Sequence, residues 1–372
     1  MNPILAIWNP RPALRRGGSP ARPRQGRRLA ALAALLLSAA FIHAASAAAV
    51  ETRPEPILSW RIRILPEERY KELRDEWKTW AEAHPRDPLG WTQLAKAARY
   101  AGDGCKAASG YARRALEVDP GYADAHAALA YIGADLYCPD GGLSMREAAR
   151  ELERALALDP ANAEPNFTLW VMRVHLGDAR GADDCLRALI DGGQFPEPVL
   201  DFGYNLLIGL ERDAILITNG DNDTYPPLAL QAGRRVRPDV AVVNLALLNA
   251  RWYRESLRNG PHHLPVPILG DSIPMPQSGP AVAGLIDALA SEGWMRPLYV
   301  AITVPDWNLK LTRPLSLEGV VQRVLPSPAG APQVDVARFT ANLEGAYRMD
   351  SITSLGFDWE GSNSVRKLIG NY

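Results

Sequence analysis

Residues 115–130 read Ala-Leu-Glu-Val-Asp-Pro-Gly-Tyr-Ala-Asp-Ala-His-Ala-Ala-Leu-Ala, and both halves of that stretch recur along the chain. The first half, Ala115-Leu-Glu-Val-Asp119-Pro120, returns as Ala155-Leu-Ala-Leu-Asp159-Pro160, with Ala108 and Ala148 seven positions before each Ala-Leu. The second half, Ala123-Asp-Ala-His126-x-x-Leu129-Ala130, has counterparts in Pro88-Leu-Gly-Trp91-x-x-Leu94-Ala95 and Ala163-Glu-Pro-Asn166-x-x-Leu169-Trp170, whose starts lie 35 residues before and 40 after its own. Self-similarity at that period marks stacked helical hairpins, because one hairpin cannot bury its apolar face alone.

Gly102-Asp103 and Gly177-Asp178 fall where the two helices of a hairpin would turn. These phrases resemble the tetratricopeptide repeat, over roughly residues 86–193. Its small residues let helices approach closely, and its proline ends the second helix. Repeat two carries about six extra residues around Tyr137 to Ser144, which lengthen a loop. Repeat three has Trp170 where a small residue is usual, which should tilt the packing or cap the stack. Before the array, Leu65-Pro66-Glu67-Glu68 is a good helix start. Tyr70, Leu73, Trp77 and Trp80 then recur at helical spacing and read as a packing face.

Cys105 opens the second helix of repeat one, and Cys138 sits in the lengthened loop of repeat two. Equivalent turns of adjacent repeats are neighbours, so either a Cys105–Cys138 disulfide or two free thiols fits. Cys185 reads as a small buried residue. No cysteine–histidine spacing points to zinc.

The N-terminus is of another kind. Residues 1–50 hold seven arginines and no acid, then an apolar run from Leu29 through Leu36, Leu37 and Phe41, then Ala45-Ser46-Ala47. That order predicts an export signal over 1–47, cleaved after Ala47, and a periplasmic protein. The alternative is an uncleaved segment that anchors the chain to a membrane. The whole chain has 41 basic and 42 acidic residues, so loss of the seven arginines leaves 34 against 42. No basic stripe survives, which argues against nucleic acid as a partner.

Beyond Pro196 and Pro198 the pattern alternates. Strands are expected at 214–218, 240–245, 298–304 and 319–325, and helices at 225–235, 281–292 and 334–348. The chain thus divides into a signal (1–47), a leader with one helix (48–85), an α-helical repeat array (86–193) and an α/β domain (194–372). Short apolar strands separated by helices predict a mostly parallel sheet in that last part.

Ligands in such sheets gather where strand C-ends meet helix N-termini. Strand 214–218 runs straight into Asn219-Gly220-Asp221-Asn222-Asp223-Thr224. Capping by Asp223 or Thr224 explains one acid, not the set. Asp221 and Asp223 could ligate a divalent cation, or with the amides hold a polyhydroxy ligand such as a glycan, or an amine. Two acids disfavour an anion. Asn205, Asn244, Trp252 and Tyr253 are candidate neighbours, and Asp306-Trp307 follow the third strand. His262-His263 read as a solvated pair.

In order, Asp201-x-Gly-Tyr-Asn205, Ile217-Thr-Asn-Gly-Asp-Asn-Asp-Thr224, Arg237-Pro-Asp-Val-x-Val-Val-Asn-Leu245, Leu248-Asn-x-x-Trp-Tyr253, Arg296-Pro-Leu-Tyr-Val-Ala-Ile-Thr303, Leu317-Glu-Gly319 and Leu325-Pro326 form a series. It resembles the soluble C-terminal region of a bacterial membrane-protein family of unknown function, related in its membrane part to protein O-mannosyltransferases. The likeness covers roughly 200–372 and implies an extracytoplasmic accessory or recognition domain. Glycosyl transfer belongs to the family's membrane part and does not carry over. Two functions follow. One is an interaction scaffold, with a protein or peptide on the repeats and a small polar ligand or metal at 219–224. The other is a metal-assisted enzyme acting on glycans or phosphoesters through Asp221 and Asp223. No nucleophile motif or base histidine accompanies those acids.

Overall fold

Alanine decides where the helices touch. The computed structural model describes residues 52–353, apart from 60, 135–137, 139, 271–278, 306–312 and 328–332. The predicted signal, Asp306-Trp307 and the last residues therefore lie outside the described residues. Pro54 onward forms one compact unit.

Seven helices run in series: α1 (Glu67–Ala83), α2 (Pro88–Ala101), α3 (Cys105–Val118), α4 (Ala123–Gly133), α5 (Met145–Leu158), α6 (Asn166–His175) and α7 (Ala179–Asp191). Ala95, Ala98, Ala108, Ala112, Ala130, Ala148 and Ala149 are buried at the crossings, where a larger side chain would hold the helices apart. Tyr70, Leu73 and Trp77 of the leader helix are buried against α2, so the aromatic stripe is a packing face. Asp87 caps α2 and Ser144 caps α5 in a reciprocal capping box with Glu147. Cys105 and Cys138 are joined by a disulfide, with Cα atoms 5.8 Å apart. Cys185 is buried, and burial pushes its thiol up to about 12.

The array runs on into the second half without a break. α9 (Asp221–Arg234) packs on α7, and α8 (Glu197–Ile208) packs on α9. Trp170 is only 6% exposed and meets Tyr225 of α9 edge-on, at 5.2 Å between ring centroids. The Tyr225 hydroxyl donates to the carbonyl of Phe167 at 2.8 Å. The bulky residue expected to tilt or cap the stack is thus the joint between the two halves.

The sheet has strands β1 (Ile215–Thr218), β2 (Ala241–Asn244), β3 (Leu298–Ala301), β4 (Leu315–Leu317) and β5 (Val321–Val324), in the order β2-β1-β3-β5-β4. β2, β1 and β3 are parallel, whereas β5 and β4 are antiparallel. The sheet is therefore mixed, and the expectation of a mostly parallel one is corrected. Gly319, at φ 107°, turns β4 back beside β5, so no helix is needed between them. α10 (Arg251–Asn259), α11 (Gly279–Ser291), α12 (Val336–Ala341) and α13 (Asp350–Thr353) complete the described α-helices. Among the described residues, no helix is long and apolar enough to cross a membrane.

One close approach sets how α8 meets α9. A Cβ on Gly203 would lie 2.7 Å from Cβ of Pro226 and 3.0 Å from the Pro227 nitrogen. Overpacking of this kind costs about 2 kcal/mol. Gly203→Ala should therefore lower the unfolding free energy by that amount, seen as a lower urea midpoint with the m-value unchanged. An unaltered midpoint would show that α8 can move aside.

Candidate functional site

The acidic stretch after β1 is not a loop. α9 begins at Asp221, four residues before the expected start, and Pro226 and Pro227 lie inside it. Asp223 explains the early start. Its carboxylate accepts from the backbone N–H of Asn219 at 2.7 Å and of Gly220 at 2.8 Å, and also from the Thr303 hydroxyl beyond β3. These bonds satisfy N–H groups at the helix start and tie β1 to β3. The side chain is 3% exposed, and burial pushes its pKa up against those hydrogen bonds.

The polar residues behind Asp223 are also internally satisfied. Thr218 and Thr224 share a hydroxyl hydrogen bond of 2.6 Å, and Asn244 Nδ2 donates to Thr224 at 3.0 Å. Asn244 Oδ1 accepts from the Leu247 N–H, and the Asn244 N–H donates to the Tyr253 hydroxyl at 2.9 Å. Burial pushes that phenol up to about 12. Asn205 lies elsewhere, holding the backbone of Arg348 through both ends of its amide. Asn219 and Asn222 are half-buried at the helix start.

Asp221 is different. Half of its side chain is exposed, and Oδ2 lies 3.3 Å from Nη1 of Arg61. It faces a groove of about 1310 Å³ between the first helices of the repeats and the C-terminal edge of β1 and β2. Gly220, Asp221, Asn244 and Trp252 line it from the sheet side. Lys96, Arg99, Tyr100, Tyr131, Glu164 and His175 line it from the repeats. Lys96 is paired with Asp124 at 2.7 Å, and His175 meets Trp252 edge-on at 5.2 Å. Of the expected set, Asp221, Asn244 and Trp252 reach the groove, whereas Asp223, Thr224 and Tyr253 support it from behind.

An extended strap crosses the same groove. Ile57 is buried and its N–H donates to Gln93 at 2.7 Å, while Trp77 donates to the Glu55 carbonyl at 2.9 Å. A turn at Ser59 then brings Arg61 between Glu164 and Asp221, over the Phe167 ring at 4.1 Å. Burial opposes the charge on Arg61, but the two carboxylates hold its guanidinium above the usual arginine range.

A divalent cation held between Asp221 and Asp223, as expected, would have to displace the donors already there. Asp223 already accepts three protein hydrogen bonds and Asp221 faces a guanidinium. Among the described residues, no three His, Cys, Asp or Glu side chains gather as a metal-binding group.

The groove positions on the repeats had a signal in the sequence. In the three aligned phrases the ninth residue is Lys96, Tyr131 and Val171, and each lines the groove. The sixth is Gln93, Ala128 and Thr168, of which the last two line it and the first holds the strap.

Residues 199–269 match the family description TMEM260-associated domain 2. A 54-residue segment is 32% identical to a protein named protein O-mannosyl-transferase tmem260, from Dictyostelium discoideum. That relative is not from a bacterium. The match covers 14% of this chain and 7% of the relative. Among solved structures, one titled Crystal structure of MamA is 15% identical, with a TM-score of 0.31, and spans 53% of this chain and 95% of its own. Structure of Naa15/Naa10 bound to HypK-THB is 12% identical, with a TM-score of 0.30, and spans 61% of this chain and 27% of its own. The chain is thus similar, over the region from α8 through α10, to a domain associated with TMEM260.

Proposed function

We propose that this chain is an exported interaction scaffold whose groove holds a segment of a partner protein. The observation that carries this reading is the groove itself, built jointly by the repeats and the strand edge. Its volume of about 1310 Å³ exceeds the roughly 300–1000 Å³ of a small-molecule site. Tyr131 and Trp252 offer aromatic anchors of the kind that dominate peptide recognition. The Cys105–Cys138 disulfide fits an oxidising compartment and so agrees with the basic, apolar N-terminus read as an export signal.

Panning a random twelve-residue (~12, a peptide long enough to follow an extended groove) display library on the full chain tests this. Selected peptides should lose about tenfold in affinity with Tyr131→Ser or Trp252→Ala. Leu158→Ser, on an exposed side chain outside the groove, should leave them unchanged. Peptides that ignore both groove substitutions, or no selection at all, would remove the reading.

A second reading draws on the segment shared with a protein named for O-mannosyl transfer. In it, Asp221 and Asp223 would serve a metal-assisted reaction on glycans or phosphoesters. It requires turnover that Asp221→Ala abolishes, and a cation able to displace the donors now on Asp223.

A further inference from the structure

The partners of Arg61 sit in or next to helices. Phe167 is 5% exposed, and its ring is held edge-on by Phe195 at 5.5 Å and by Tyr225 at 4.9 Å. Asp221 stands in the first turn of α9, and Glu164 follows an Asn162 side chain that accepts its backbone N–H at 3.1 Å. Arg61, by contrast, rides on a strap with neither helix nor strand, and its neighbours Leu58 and Ile62 are 37% and 44% exposed.

We propose that Glu164, Asp221 and the Phe167 ring form a guanidinium-binding site, filled in this chain by its own Arg61 and able to receive an arginine from a partner segment. The chemistry is specific to that group. Two carboxylates from separate elements take different nitrogens of one planar fork while a ring covers its face. A lysine ammonium has no second arm and no flat face to match. The site also resists standing empty, because two carboxylates would then face one another without a cation. It therefore favours exchange of one guanidinium for another. Leu58 and Ile62, which line the groove beside it, give an incoming arginine's apolar neighbours a surface to cover. This site lies at one end of the groove proposed above as a protein-binding surface, rests on that reading, and names the chemistry of the partner.

The probe is a labelled synthetic peptide of residues 54–64, Pro-Glu-Pro-Ile-Leu-Ser-Trp-Arg-Ile-Arg-Ile, added to the full chain. It should bind Arg61→Gln at least about tenfold more tightly than the wild type, whose site is filled from within. The same peptide with glutamine for its first arginine should lose that advantage. Adding Glu164→Gln or Asp221→Asn to Arg61→Gln should lose it as well. N-acetylarginine amide should raise the melting temperature of Arg61→Gln but not of the wild type. If Arg61→Gln fails to fold, Arg61→Lys supplies a weaker internal occupant and should still favour the arginine peptide over its glutamine form. Equal binding to wild type and variant, or equal binding of the two peptides, overturns the site. Library peptides that depend on Tyr131 and Trp252 would in that event still stand, so the groove and the guanidinium site fail separately.

Discussion

Asp223→Ala should cost the fold about 3 kcal/mol, whereas Asp221→Ala, two residues away, should cost about 0.5 kcal/mol. Alanine at 223 strips the acceptor from two backbone N–H groups and from the Thr303 hydroxyl. A buried donor left unpaired costs roughly 1–3 kcal/mol. Asp221 has a half-exposed side chain in one surface ion pair, and such pairs contribute about 0–1 kcal/mol. Urea unfolding of both variants checks the contrast, and equal midpoints would refute it. The pH dependence has a defined sign. Burial holds the folded Asp223 carboxyl above its ordinary value, so the folded state takes up the proton more readily than the unfolded chain. That contribution to stability is complete at acid pH, below the unfolded value, and fades as the pH rises through the folded one. Asp223→Asn, which cannot titrate, should lack that slope.

Arg254→Met should lower stability by about 3 kcal/mol or more and loosen one wall of the groove. Arg254 is fully buried and donates to the carbonyls of Leu248, Asn249, Leu269 and Gly270, at 2.6 to 3.1 Å. Burial pulls its pKa down, and its charge is met by carbonyl dipoles. Methionine fills much of the volume but leaves those carbonyls without donors, each at a cost of roughly 1 kcal/mol. Some of that loss is offset, because a charge no longer has to be desolvated. Arg254→Lys should rescue little, since one ammonium cannot span four carbonyls in the fork geometry. Hydrogen exchange at 248–250 and at 269–270 should quicken together in Arg254→Met. Unchanged protection there would show that these backbones hold themselves.

Much of this architecture was legible because its cause is local. Ala-Leu before Asp-Pro, and the spaced alanines of α3 and α5, are helix-crossing chemistry written within one hairpin. The apolar cores of β1, β2 and β3 lay within a residue or a few of the expected limits. What escaped depends on distant partners. β4 is three residues long, Leu315–Leu317, and carries no apolar run, since only Ser316 of it is fully buried. α8 was unassigned although Asp201 and Asn205 stand on it, because their partners Ser351 and Arg348 are more than 140 residues away. The acidic stretch at 219–224 was legible as a strand end meeting a helix start, but not how its residues divide. Its acids divide between Asp223, which starts a helix, and Asp221, which faces a groove. Arg61 gave no local signal at all, because its ligands lie 103 and 160 residues further on.

Those separations also order events in time. Synthesis delivers the strap before any helix of the array, yet Arg61 cannot settle until β1 is placed and α9 has wound its first turn. Contacts so far apart in sequence form late, after loop closure has been met by nearer ones. The hairpins from α1 to α7 can assemble vectorially, each on its predecessor. The growing protein therefore passes through a stage in which the repeat wall of its groove is built and its own arginine is still outside.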